Sequence, residues 1–131
     1  VAVSGQGLLI LGPSGAGKSS LALQLMALGA SLVADDRTIL TPGADGRLFA
    51  SCPPAIFGLI EARGLGLLPA NPAGSVILAA AVDLGQSETE RLPEPRHILL
   101  LGCPLPLLRK VESTSFAAAL FLYMTGRAAE K

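Results

Sequence analysis

Apolar positions in this chain come in short bursts divided by glycine, proline and small polar runs, and each burst predicts an element. Val1–Val3 and Leu8–Leu11 read as short strands around a Ser4-Gly5-Gln6-Gly7 turn. A glycine-rich loop follows, and residues 18–28 are good helix formers with Gly29 as the C-terminal stop. Leu32–Ala34 predicts a buried strand running into Asp35-Asp36, and residues 38–41 and 47–50 flank a turn as a hairpin. Past the Pro53-Pro54 break, residues 55–62 predict a short helix, with Gly64–Leu68 leading out of it. Ser75–Leu84 and Arg96–Leu101 predict further strands, joined by the polar connection Gln86–Pro95. Residues 105–114 hold Arg109 and Lys110 and read either as an anion-contacting stretch or, no less readily, as a solvated loop. Ser113 or Ser115 caps a last helix through Tyr123, ending near Gly126. Strands alternating with helices imply an α/β domain, and the central hairpin implies a mixed sheet.

Length and composition narrow the class. A chain of 131 residues fits one domain, taken over residues 1–131, whose core needs no metal or disulfide staple. Half the residues are hydrophobic and 15% are charged, which excludes intrinsic disorder. Ten basic and ten acidic residues give zero net charge, so overall charge offers no case for nucleic acid or an acidic membrane. Two cysteines, Cys52 and Cys103, make a reducing cytosol the simpler expectation. No apolar run reaches the roughly 20 residues of a spanning helix. The first residue is Val1, not Met, which suggests a chain that is processed, trimmed or partly given.

The strongest chemical signal is Gly12, Pro13, Ser14, Gly15, Ala16, Gly17, Lys18, Ser19, a full G-x-x-x-x-G-K-[ST] match between an apolar strand and a helix. Glycines let successive backbone N–H groups curl around an oxyanion, and the helix start aims its positive end at the same point. Lys18 can reach β and γ phosphates, Ser19 can ligate Mg²⁺, and Ser20 extends the nucleotide-binding run. The motif implies a nucleotide or polyphosphate and leaves the acceptor open.

The acidic residues are less decided. Asp35-Asp36 can supply a proton acceptor and a metal carboxylate, or simply end a strand in solvent. Both can serve one site only if the strand ends there, because adjacent strand residues point apart. Asp83, closing the apolar run Val76–Val82, is a rival metal carboxylate. Glu61 and Arg63 can be a metal-bound carboxylate and a phosphate-binding guanidinium; spacing alone favours an ordinary surface ion pair.

Three blocks in order, Gly12–Ser19, Leu32-Val-Ala-Asp-Asp-Arg37 and Ile60-Glu-Ala-Arg-Gly-Leu-Gly66, resemble the catalytic domain of HPr kinase/phosphorylase. The third block resembles that family's Glu-Ile-Arg-Gly-Leu-Gly signature, with Ala62 in place of Ile. The likeness spans Val1 to about Leu68; the second half looks shortened, like the compact alphaproteobacterial members. The resemblance implies a P-loop fold related to phosphoenolpyruvate carboxykinase, with mixed twisted sheets. It implies transfer of the ATP γ-phosphoryl group to a serine of HPr or a nitrogen-system paralogue, in a cytoplasmic, commonly hexameric enzyme. Pyrophosphate or phosphate can also serve some members. Carried over, Asp35 is the acid/base, Lys18 and the Gly12–Gly17 backbone hold phosphate, Ser19, Asp36 and Glu61 organise Mg²⁺, and Arg63 neutralises phosphate charge. The family's upstream histidine would fall before Val1, and His97 does not match it. Arg91, Arg109 and Lys110 have no secure counterpart. Two other readings stay open: a P-loop kinase for a small metabolite, and a nucleotide-dependent sensor without transfer.

Overall fold

The computed structural model describes residues 1–129. Its sheet is organised by β7 (Val76–Ser87), the longest strand, whose first half runs without a polar side chain as VILAAAV. Such a run suits a strand covered on both faces. Along one edge, β7 pairs in parallel with β2 (Gln6–Leu11), which continues to β1 (Ala2–Val3). The other edge is shared. β4 (Leu48–Ser51) takes its start through Phe49 and Ala50, and β9 (Cys103–Lys110) takes its end from Ala81 onward, in parallel. β3 (Ile39–Pro42) and β8 (Arg96–Leu100) lie outermost, each antiparallel to its hairpin partner. The sheet is mixed, as the hairpin implied.

Helices α1 (Lys18–Ala27) and α2 (Phe116–Ala129) pack against each other and against the β1–β2 side of the sheet. Leu21, Ala22 and Leu25 recur at helical spacing on α1 and meet Leu120 and Met124 of α2 over Leu8, Ala80 and Val82. Leu25 and Met124 are fully buried, each worth on the order of 1.5–3 kcal/mol of burial. A second cluster, with Val33, Leu48, Leu78 and Leu105, fills the opposite face. The core is apolar throughout, with no buried polar or charged residue among the described residues. No described helix is long and apolar enough to cross a membrane.

Four expectations are corrected. Residues 55–62 are not a helix. A single 3₁₀ turn at Pro54–Ile56 precedes β5 (Leu59–Ala62), which pairs with β6 (Gly66–Pro69) as a separate two-stranded hairpin. Leu32 and Val33 are buried and Ala34 half-buried, yet the segment joins no ladder; isolated bridges, Ala2 to Ser31 and Leu32 to Pro72, hold it. The stretch read as a loop from Leu105 is β9 as far as Lys110. The last helix runs through Gly126 to Ala129.

Candidate functional site

β2 ends at Leu11 and α1 begins at Lys18, so the glycine-rich segment bridges two elements buried in one core. Gly17, at the helix N-cap, has φ 97°, in the left-handed region where a side chain is strained. At Gly12 a Cβ would lie 3.1 Å from the Ala16 Cβ and 3.3 Å from the Leu84 Cβ. The loop therefore closes tightly only with glycine there. No side chain caps α1 and no acidic residue lies in its first turn, which leaves its N-terminal N–H groups for an anion. The Lys18 ammonium turns back and donates to the carbonyl oxygens of Gly12 (2.6 Å) and Pro13 (3.1 Å).

A cleft of about 780 Å³ opens beside this loop. Lys18, Ser19, Asp35, Asp36, Glu61 and Arg63 all line it, from three separate stretches of sequence. Ser14, Gly15, Gly17 and Ser20 line it as well, whereas Gly12, Pro13 and Ala16 do not.

Asp35 is the centre of the hydrogen bonding. Ser19 Oγ donates to its Oδ1 (2.9 Å), and the Glu61 N–H donates to its Oδ2 (3.1 Å). One carboxylate thus ties the phosphate loop to the β5–β6 hairpin. Both aspartates reach the cleft because the chain turns sharply between them: the Arg37 N–H donates to the Asp35 carbonyl (2.6 Å) around Asp36, whose φ is 64°. A non-glycine residue held there costs on the order of 1–3 kcal/mol, and such strain concentrates at functional sites. The strand-end condition set by the sequence is met by a turn.

β5 and β6 position the other two groups. Glu61 and Arg63 are exposed at the hairpin end, near the Gly64 turn, where φ is 86°. The sequence favoured an ion pair between them, but none forms; the salt bridges among the described residues are Arg47–Asp45, Arg96–Glu88 and Lys110–Glu112. Both side chains are left to the cleft. Leu65, 77% exposed, also lines it. Sequence reasoning did not single out Leu65, although it sits inside the Gly64-Leu65-Gly66 signature. The Glu61 backbone N–H left no signal that residue types could carry.

Remaining candidates lie elsewhere. Asp83 stands opposite Leu11 in the β2–β7 register, accepts the Gly85 N–H (2.8 Å), and does not line the cleft. Arg91 and His97 are exposed away from it, and Arg109 lies in β9 with its Nε unpartnered. Cys52 and Cys103 are free thiols; burial pushes the Cys52 thiol up from its ordinary value.

A divalent ion is what the resemblance implies at Ser19. Among the described residues, no three His, Cys, Asp or Glu side chains gather closely enough to hold a metal alone. The side-chain oxygens that line the cleft are the hydroxyls of Ser14, Ser19, Ser20 and Thr38 and the carboxylates of Asp35, Asp36 and Glu61. That set fits Mg²⁺, which takes oxygen ligands, keeps several waters and commonly completes its shell with substrate phosphates.

Comparison with known proteins follows the same lines. The family profile described as the HPr Serine kinase C-terminal domain matches residues 1–73. The chain is 52% identical over 66 residues to the HPr kinase/phosphorylase of Bordetella pertussis, covering 50% of this chain and 21% of that protein. It is 34% identical over 118 residues to the HPr kinase/phosphorylase of Ralstonia pickettii, covering 82% and 36%. The chain thus spans about a third or less of the length of these curated relatives. The solved structure of the Hpr(Ser) kinase/phosphatase from Coxiella burnetii superposes with a TM-score of 0.77 at 22% identity, over 95% of this chain and 89% of that one. The likeness establishes the shared fold.

Proposed function

This chain belongs to the HPr Serine kinase C-terminal domain family, and from that premise we propose that it transfers the γ-phosphoryl group of ATP to a serine hydroxyl of an HPr-like phosphocarrier protein. The observation that carries the proposal is the convergence of Lys18, Ser19, Asp35, Asp36, Glu61 and Arg63 on one cleft.

Phosphoryl transfer asks a protein for positioning and charge neutralisation more than for covalent chemistry. The phosphate loop grips the polyphosphate through backbone N–H groups. Lys18 exchanges its bonds to Gly12 and Pro13 for phosphate oxygens. Arg63 faces the same cleft as a second cation, with no carboxylate partner among the described residues. Asp35 accepts the proton of the attacking serine hydroxyl, held in place by Ser19 and the Glu61 N–H. In the reverse direction it returns that proton to the departing serine oxygen. Ser19, Asp36 and Glu61 would hold Mg²⁺, which when bound supplies charge stabilisation at the phosphate oxygens.

The Ser19–Asp35 hydrogen bond favours a second reading, with the aspartates exchanged: Asp35 then supports the metal-binding hydroxyl and Asp36 takes the proton. We place the protein in the cytoplasm with its carrier, as a homo-oligomer.

Transfer of label from [γ-³²P]ATP to HPr in the presence of Mg²⁺ tests the proposal. Phosphoserine on HPr is the expected product. Transfer to a small metabolite instead points to a different P-loop kinase, and nucleotide binding with no transfer points to a sensor. In the exchanged reading, Asp35→Asn raises the Mg²⁺ requirement and Asp36→Asn abolishes transfer.

A further inference from the structure

A second cavity, of about 230 Å³, lies where the phosphate loop, α1, the segment after β9 and the start of α2 meet. It shares Gly17 and Ser20 with the main cleft, so the two spaces meet across the first turn of α1. Asp35, Asp36, Glu61 and Arg63 line the first cavity and not the second. A polyphosphate gripped by the loop with its reacting end toward Asp35 would direct its other end past Gly17 and Ser20, the two residues common to both spaces, and a group carried there would enter the second cavity.

The walls suit a nucleoside. Leu21, Leu84, Val111 and Phe116 supply aliphatic and aromatic surface, and Glu112 brings an acceptor for ribose hydroxyls or a base amine. One of its oxygens, Oε1, meets Lys110 Nζ (3.6 Å) and the Ser87 hydroxyl (3.4 Å), which leaves Oε2 as the acceptor. The volume falls below the roughly 300–1,000 Å³ of a site that encloses a whole ligand. It fits the half of a nucleotide that lies beyond phosphates already held next door.

We infer that this second cavity binds the nucleoside moiety of the phosphoryl donor, with Val111 and Phe116 against the base and Glu112 as its polar anchor. The inference rests on the kinase reading above and deepens it, because it separates nucleotide donors from pyrophosphate: only the former use these residues.

Binding of ADP and of pyrophosphate, each with Mg²⁺, to the native protein and two variants decides the matter by calorimetry. Val111 is 42% exposed, so Val111→Trp plugs the cavity without disturbing the core. Phe116→Ala removes the aromatic wall; its half-buried ring also packs on the core, so the exposed variant carries the test if this one fails to fold. The expected result is ADP affinity lowered ~tenfold or more, the loss of about one base–aromatic contact, with pyrophosphate affinity unchanged. Equal weakening of both ligands, or of neither, overturns the nucleoside site and leaves the kinase reading standing. A native protein that binds neither overturns both.

Discussion

Replacing Asp35 by Asn tests the centre of the proposed chemistry with almost no change of shape. The carboxylate now accepts from two donors, the Ser19 hydroxyl at 2.9 Å and the Glu61 N–H at 3.1 Å. An Asn side chain has one acceptor oxygen and one NH₂ donor. If its oxygen faces Ser19, its NH₂ confronts the Glu61 N–H, donor against donor. If it flips, Glu61 is satisfied and the Ser19 hydroxyl must turn to accept. One charge-assisted hydrogen bond is lost either way, worth about 1.5–3 kcal/mol when buried and less at this half-buried site. A thermal shift of a few degrees follows. Loss of a general base costs about 10²–10⁴ in rate, or roughly 2.7–5.5 kcal/mol of barrier. Nucleotide affinity rests on the phosphate loop and changes little. Single-turnover transfer from [γ-³²P]ATP to HPr, run beside calorimetric titration with ADP, separates the two effects. A variant that transfers within about threefold of the native rate, or that loses ADP affinity as steeply as transfer, refutes the assignment of Asp35 as base.

Other outcomes follow from the same structure. Asp36→Gly should leave stability unchanged or raise it by up to ~2 kcal/mol, because the left-handed φ costs about 1–3 kcal/mol and glycine's extra unfolded-state freedom offsets about 0.5–1 kcal/mol of the relief; urea unfolding reads this, while Mg²⁺-dependent transfer falls sharply. Leu25→Ala, at a fully buried position facing Met124, should cost about 2–5 kcal/mol in the same measurement, and a cost below about 1 kcal/mol would contradict the packing described. Glu88 pairs with Arg96, whose guanidinium holds the carboxyl below the usual range. A depressed carboxylate stabilises the fold above its ordinary pKa and ceases to as pH falls. Native protein should therefore melt above Glu88→Gln at pH 7, with the gap closing below about pH 4.3.

The glycine-rich loop was legible because its residue types follow a fixed spacing, and the strand before it and the helix after it obey ordinary periodicities. The hairpin carrying Glu61 and Arg63 was not. Leu59–Ala62 contains residues that favour helix, and its alternation spans four positions, too few to outvote composition. Only pairing with Gly66–Pro69 makes it a strand. β9 was hidden by Pro104 and Pro106, which argue against a strand. They are tolerated because β7 joins β9 only from Leu107, so the missing N–H groups face an edge without a partner. Leu32–Ala34 was read correctly as buried at Leu32 and Val33 and wrongly as a strand, since hydrophobicity records burial and not hydrogen-bond partners. The turn at Asp36 depends on a backbone angle, and residue identity alone does not report it.

The lysine bonded to its own loop has a bearing on which anions the protein answers to. Lys18 already has two carbonyl partners, so a visitor must outbid them before the ammonium swings toward it. A lone sulfate or carboxylate offers little more than what would be surrendered. A chain of phosphates, touching backbone and side chain together, clears that threshold. The arrangement predicts that sulfate competes poorly with a polyphosphate for this loop, an order that displacement of bound ADP by sulfate would measure.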